Sequence, residues 1–102
     1  MAKKLLEVTA RYNAPEAQLA KAFLELAPKF AAVKGLEWKV WKINQEKKSC
    51  GGVYLFMDEA TVKAYLDSEL FAGVKKHPAL SDVRAEVFDV LPEHSKITRA
   101  PI

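Results

Sequence analysis

Two tryptophans three residues apart, Trp38 and Trp41, and a Tyr54-Leu55-Phe56 run stand on either side of the polar stretch 45–50. With Tyr12, Tyr65 and Arg84 they are the side chains of this chain best suited to act on a small molecule. Aromatic walls hold a flat ligand, an indole N–H or a phenol O–H donates to it, and a guanidinium holds an anion. The expectation is that Trp38, Tyr54 and Arg84 are the catalytic candidates, and that Trp41, Phe56, Tyr65 and Tyr12 bind the ligand. Each has an ordinary use as well. Large aromatics fill cores and interfaces, buried tyrosines bond to backbone, and Arg84 can pair with Glu7 or Glu86 on the same sheet face. The odd spacing of the tryptophans points them to opposite faces of one strand, so only one of them can readily line a given pocket.

The other reactive types are less suggestive. His77, in KKHPAL, and His94, near the C-terminus, lack a spaced carboxylate or a second histidine, so no metal site is expected and both read as solvated. Ser81 and Asp82 with either histidine form no recognisable triad pattern. Cys50 lies near Lys47 and Lys48, which would lower its thiol pKa, although an inert thiol is the ordinary state. Asp58-Glu59 has the form of a helix start. Gly51-Gly52 has no phosphate-loop context and is expected to relieve crowding or to form a bulge.

Composition excludes several classes. A chain of 102 residues forms one domain and buries about two-thirds of its surface. Half of its residues are hydrophobic and 28% are charged, the balance of a globular protein. No apolar run approaches the roughly 20 residues of a membrane span, and the charged N-terminal stretch does not suit a signal peptide, so the chain reads as cytoplasmic. One cysteine excludes an internal disulfide. The net charge of +3 is mild and scattered, which gives no basis for nucleic-acid binding.

The elements that must position these side chains follow from periodicity. KLLEVTARY reads as a strand, and Asn13 as the cap of a helix over about 15–33 carrying Leu19, Phe23, Leu26 and Phe30 on one face. Pro28 should kink that helix or begin a new turn. LEWKVWKIN and GGVYLFM form a hairpin, and Asp58 caps a second helix that carries Val62, Tyr65, Leu66 and Leu70 and ends at Gly73. DVRAEVFDV is the last strand. The order is βαββαβ, an α+β, ferredoxin-like arrangement with a four-stranded antiparallel sheet and both helices on one face. Leu6, Val8 and Ala10 then share the helix face with Val83, Ala85 and Val87. Glu7, Thr9 and Arg11 share the other with Arg84, Glu86 and Phe88. The middle strands are apolar on both faces, which predicts a homodimer that covers the second one. The tail 91–102 is frayed or lies across the partner.

RNA-recognition domains share this element order, but Ser49, Gly51 and Val53 stand where their basic residue and two base-stacking aromatics belong. No nucleic-acid partner is expected. EWKVW, GGVYLF, AYL (64–66) and VFDV (87–90), in this order and spacing from Leu5 to PEHSKI, resemble the YdhR monooxygenase family. The resemblance implies a dimeric α/β barrel of the kind found in antibiotic-biosynthesis monooxygenases. It also implies oxygenation of a small phenol- or quinol-like substrate without a metal or flavin, so no cofactor is expected. Such chemistry asks for a dry pocket, a donor or cation for the developing oxyanion, and a base. A dimer that binds a small hydrophobic molecule without turnover is the alternative.

Overall fold

The computed structural model describes residues 2–102. The element order is β1 (Lys4–Tyr12), α1 (Glu16–Ala31), β2 (Leu36–Asn44), β3 (Ser49–Phe56), α2 (Glu59–Leu66), α3 (Glu69–Lys76), β4 (Leu80–Asp89) and α4 (Pro92–Ile97). The four strands pair antiparallel in the order β2-β3-β1-β4. The fold is thus ferredoxin-like, with β1 beside β4 as the element order requires.

Register sorts the side chains by face, because residues directly opposite in a ladder point the same way. Leu6 pairs with Tyr54 and Val87, and Val8 with Gly52 and Ala85. Tyr54 pairs in turn with Lys39, and Gly52 with Trp41. This is the face that the helices cover, and Leu6, Val8, Tyr54, Phe56, Phe30, Val62, Tyr65 and Phe71 form its main core. The other face carries Leu5, Glu7 and Thr9 beside Val53 and Leu55, with Trp38 opposite Leu55. A bulge between Leu36 and Trp38 sets this register, which sequence alone leaves open.

Several helix boundaries differ from expectation. Helix α1 runs through Pro28 to Ala31. The missing Pro28 N–H leaves only the Leu24 carbonyl without its helical donor, and Leu24 is 76% exposed, so water can serve it. Asn13 does not cap this helix. The residue before its first turn is Pro15, without a side-chain cap, and the Asn13 N–H instead bonds the Ala79 carbonyl. Asp58 caps α2 by accepting from the Thr61 N–H at 2.9 Å. The second helix is two helices, because the Ser68 hydroxyl accepts from the Phe71 N–H at 3.3 Å and starts α3. Gly73 therefore lies inside a helix and terminates nothing.

The tail is ordered. It forms α4 and then returns so that the Trp38 indole N–H donates to the Pro101 carbonyl at 2.8 Å. Leu55 is fully buried on the face opposite the helices, where Leu5 and Trp38 are its cross-strand neighbours.

Gly51 fixes the closest backbone approach. A Cβ there would stand 1.8 Å from the Val8 carbonyl oxygen, which no side-chain adjustment relieves. Gly51→Ala is expected to destabilise the fold by about 3 kcal/mol, read as a lowered urea midpoint with an unchanged slope.

Candidate functional site

A cavity of about 450 Å³ opens between the covered sheet face, α1 and α3. Phe23, Leu26 and Phe30 reach it from α1 at helical spacing, and Leu70 and Val74 from α3. Alternation on the strands adds Val8 and Ala10, Lys39 and Trp41, and Cys50 and Tyr54. Gly73 also borders it, and a Cβ on Gly73 would meet nothing, so α3 leaves space at that point.

Lys39 is the unusual member of this wall. Its Nζ lies 3.5 Å from the centroid of the Phe30 ring, 3.4 Å from that of Trp41 and 4.6 Å from that of Tyr54. Among the described residues it has neither an ion-pair partner nor a hydrogen-bond acceptor. Burial without a carboxylate pushes the amine down to about 7. The ring faces attract a cation and work the other way, so both protonation states are accessible near neutrality. Gly52 makes the placement possible, since a Cβ there would stand 2.7 Å from Lys39 Cε. The double glycine thus has two separate uses, one for the β1 backbone and one for this lysine.

The aromatic residues fall into distinct positions. Trp41 lies on the cavity wall, with its ring centroid 5.3 Å from Phe23 and 5.2 Å from Phe30. Tyr54 also lines the cavity, but its hydroxyl is 3.2 Å from that of Tyr65. Burial pushes Tyr54 up to about 12 and Tyr65 above the ordinary tyrosine value, so both stay protonated. Tyr65 and Phe56 stand behind Tyr54 in the core. Tyr12 belongs to a second cluster with Ala10, Leu19 and Cys50. Its hydroxyl is the one buried side-chain polar atom without a partner among the described residues.

Trp38 and Arg84 lie on the opposite sheet face, away from the cavity. Trp38 serves the tail, and the Arg84 Nε and Nη2 donate to the Asp82 carboxylate at 3.3 and 3.4 Å. Neither expected carboxylate holds Arg84, because Glu7 is taken by Lys42 at 3.1 Å. The thiol of Cys50 is pushed up by burial, against a smaller opposing effect of Lys42, so it is not activated as Lys47 and Lys48 suggested.

Sequence reading missed two residues. His77, half-buried in the loop that follows α3, borders the cavity; its Nδ1 accepts from the Ala79 N–H at 3.1 Å, which leaves Nε2 to carry the proton in the neutral ring. Lys39 is not among the site residues expected from the sequence. Its signal was present, because it shares strand parity with Trp41 and therefore its face.

The arrangement offers a mostly apolar, aromatic-walled space and, in Lys39, an amine able to take or give a proton at neutral pH. It carries a stability cost with a definite pH signature. The folded protein releases the Lys39 proton near pH 7 and the unfolded chain holds it to about 10.5. Between these values the unfolded state binds more protons, so stability rises with pH. Lys39→Met should gain about 1–2 kcal/mol at pH 7, less than full desolvation because the rings and residual water already offset part of it. Chemical denaturation from pH 7 to 10 should show this component of the rise in the parent and its loss in the variant.

Known proteins bear on this geometry. No curated protein sequence matches the chain. Among solved structures, a protein of unknown function from Nitrosomonas europaea is 24% identical, with a TM-score of 0.73, over 89% of this chain and 91% of that one. SnoaB, a cofactor-independent oxygenase from Streptomyces nogalater, is 14% identical, with a TM-score of 0.71, over 89% and 95%. A dimeric ferredoxin-like protein of unknown function from Thermobifida fusca is 18% identical, with a TM-score of 0.66, over 88% and 93%. At these identities they establish the shared fold. The model of the family described as "Putative mono-oxygenase ydhR" matches residues 5–101, nearly the whole chain, and the protein therefore belongs to that family.

Proposed function

We propose that the protein oxygenates a small flat phenol- or quinol-type molecule held in the cavity between α1, α3 and the sheet, with Lys39 as the base. The observation that carries this reading is the unpaired Lys39 amine beside Phe30, Trp41 and Tyr54 on the wall of an apolar space of about 450 Å³. Membership of the family supports the reaction class.

A phenol that gives its proton to Lys39 becomes an electron-rich phenolate, and the resulting ammonium stays beside it as the counter-charge. Electron density from the phenolate ring reduces oxygen, one oxygen atom enters the ring, and the other leaves as water. Overall a phenol and O2 give a quinone and H2O, so the substrate supplies all the electrons. Trp41 and Phe30 orient the ring, and the Tyr54–Tyr65 pair holds its own protons. Trp38 and Arg84, on the other face, have no part in this scheme.

Oxygen consumption with a panel of naphthols and hydroquinones tests the reading. Uptake matched one to one by quinone formation is expected, rising with pH through about 7 as Lys39 becomes neutral. Lys39→Met should lower the rate by about 100-fold or more. Saturable quenching of Trp41 fluorescence by the same molecules, with no oxygen uptake at any pH, would instead establish the non-catalytic hydrophobic-ligand binder.

We also infer a homodimer formed through the open sheet face. On that face Val40 is 57% and Phe88 40% exposed, and the exposed Leu91 and Ile97 extend the apolar surface along the tail. A patch of that extent is uncommon on a monomer, and a similar fold is dimeric in the Thermobifida protein. Sedimentation velocity should give a two-chain species for the parent. Val40→Asp, which puts a charge on the patch without touching the cavity wall, should shift it toward one chain at micromolar concentration.

A further inference from the structure

We propose that Lys39 is a covalent capture site for carbonyl compounds, and that the cavity takes an aromatic aldehyde or ketone as an imine on Lys39 Nζ. This activity does not depend on the oxygenation proposed above, since it uses no oxygen and needs only the amine and the cavity.

Geometry carries the inference. Surface lysines are held as solvated ammonium ions, which have no lone pair to add to a carbonyl. Lys39 is partly withdrawn from water, has no carboxylate to hold its proton, and lies on the wall of a space large enough for a substituted ring. An apolar pocket is the setting in which a lysine becomes a nucleophile, and the lowered proton affinity of this amine agrees with that. The rings that surround Nζ select the partner. Phe23, on the same cavity wall and 5.3 Å from Trp41, offers a further ring to an aryl group, so an aromatic carbonyl compound can pack there while its carbonyl carbon meets the amine.

The step balances without an oxidant. The Nζ lone pair forms a C–N bond to the carbonyl carbon, and the carbonyl oxygen takes up a proton to give a carbinolamine. Loss of that oxygen as water leaves C=N, so one carbonyl compound and one amine give one imine and one water. Expulsion of water into bulk solvent favours the imine over its hydrolysis in an apolar cavity. Both protons of the departing water come from the Nζ amine, and the Nε2–H of His77, on the same cavity wall, serves as a hydrogen-bond donor to the carbinolamine oxygen and keeps its proton.

The 102-residue protein is incubated under nitrogen at pH 7 with 2-naphthaldehyde and cyanoborohydride, and adducts are located by intact mass and peptide mapping. One adduct per chain is expected, on Lys39, formed at least about tenfold faster than on any other lysine, Lys29 at the cavity edge included. Lys39→Arg should lose this fast adduct while retaining the circular dichroism of the parent. Butanal on the unaltered protein serves as the control that does not depend on a variant folding, and its preference for Lys39 should be at least about fivefold weaker. Labelling of Lys39 no faster than of the exposed lysines, or an equal preference with butanal, would overturn the proposal. The anaerobic readout separates this result from any failure of oxygen uptake.

Discussion

A lysine amine held against three aromatic rings without a carboxylate is the constraint around which the rest of this molecule is arranged. Removing an ammonium from water costs several kcal/mol unless something replaces the lost hydration. Here the faces of Phe30, Trp41 and Tyr54 replace part of it. That substitution works only if the three rings converge from α1, β2 and β3, and only if Gly52 leaves room for the lysine stem. The same convergence makes that wall of the cavity apolar.

Strand pairing supplies that convergence. Lys39 stands opposite Tyr54 and Trp41 opposite Gly52 because the bulge between Leu36 and Trp38 shifts β2 by one residue relative to its start. A slip of one residue would move Lys39 and Trp41 to the open face and bring Trp38 and Val40 into the cavity. The two tryptophans thus serve different ends of the architecture. Trp41 closes the space beside α1, while Trp38 ties the returning tail to the open face.

The sheet is therefore two-sided in chemistry as well as in packing. Its covered face holds the core, the cavity and the perturbed groups Lys39, Tyr54, Tyr65 and Cys50. Its open face holds the Lys42–Glu7 and Arg84–Asp82 pairs beside an apolar area. The exposed pairs add little stability in themselves. What they do is keep the polar part of that face compatible with water while the apolar part remains available for association.

Much of this was legible in the residues. Periodicity and turn chemistry determined the βαββαβ order, the antiparallel sheet and the sorting of β1 and β4 into a covered and an open face, because strand alternation is a local property. The motifs EWKVW and GGVYLF carried the resemblance that the family match bears out. Ser68 as a cap was legible too, from the serine ahead of Glu69, and was missed in favour of the glycine five residues on. The tertiary structure decided the rest. Arg84 and Trp38 fall outside the cavity and Lys39 and His77 inside it, because the hairpin register and the placement of α3 depend on long-range packing that no local pattern encodes. The low proton affinity of Lys39 has the same origin: a lysine in a sequence is a solvated charge, and only the rings brought to it from three separate elements make it something else.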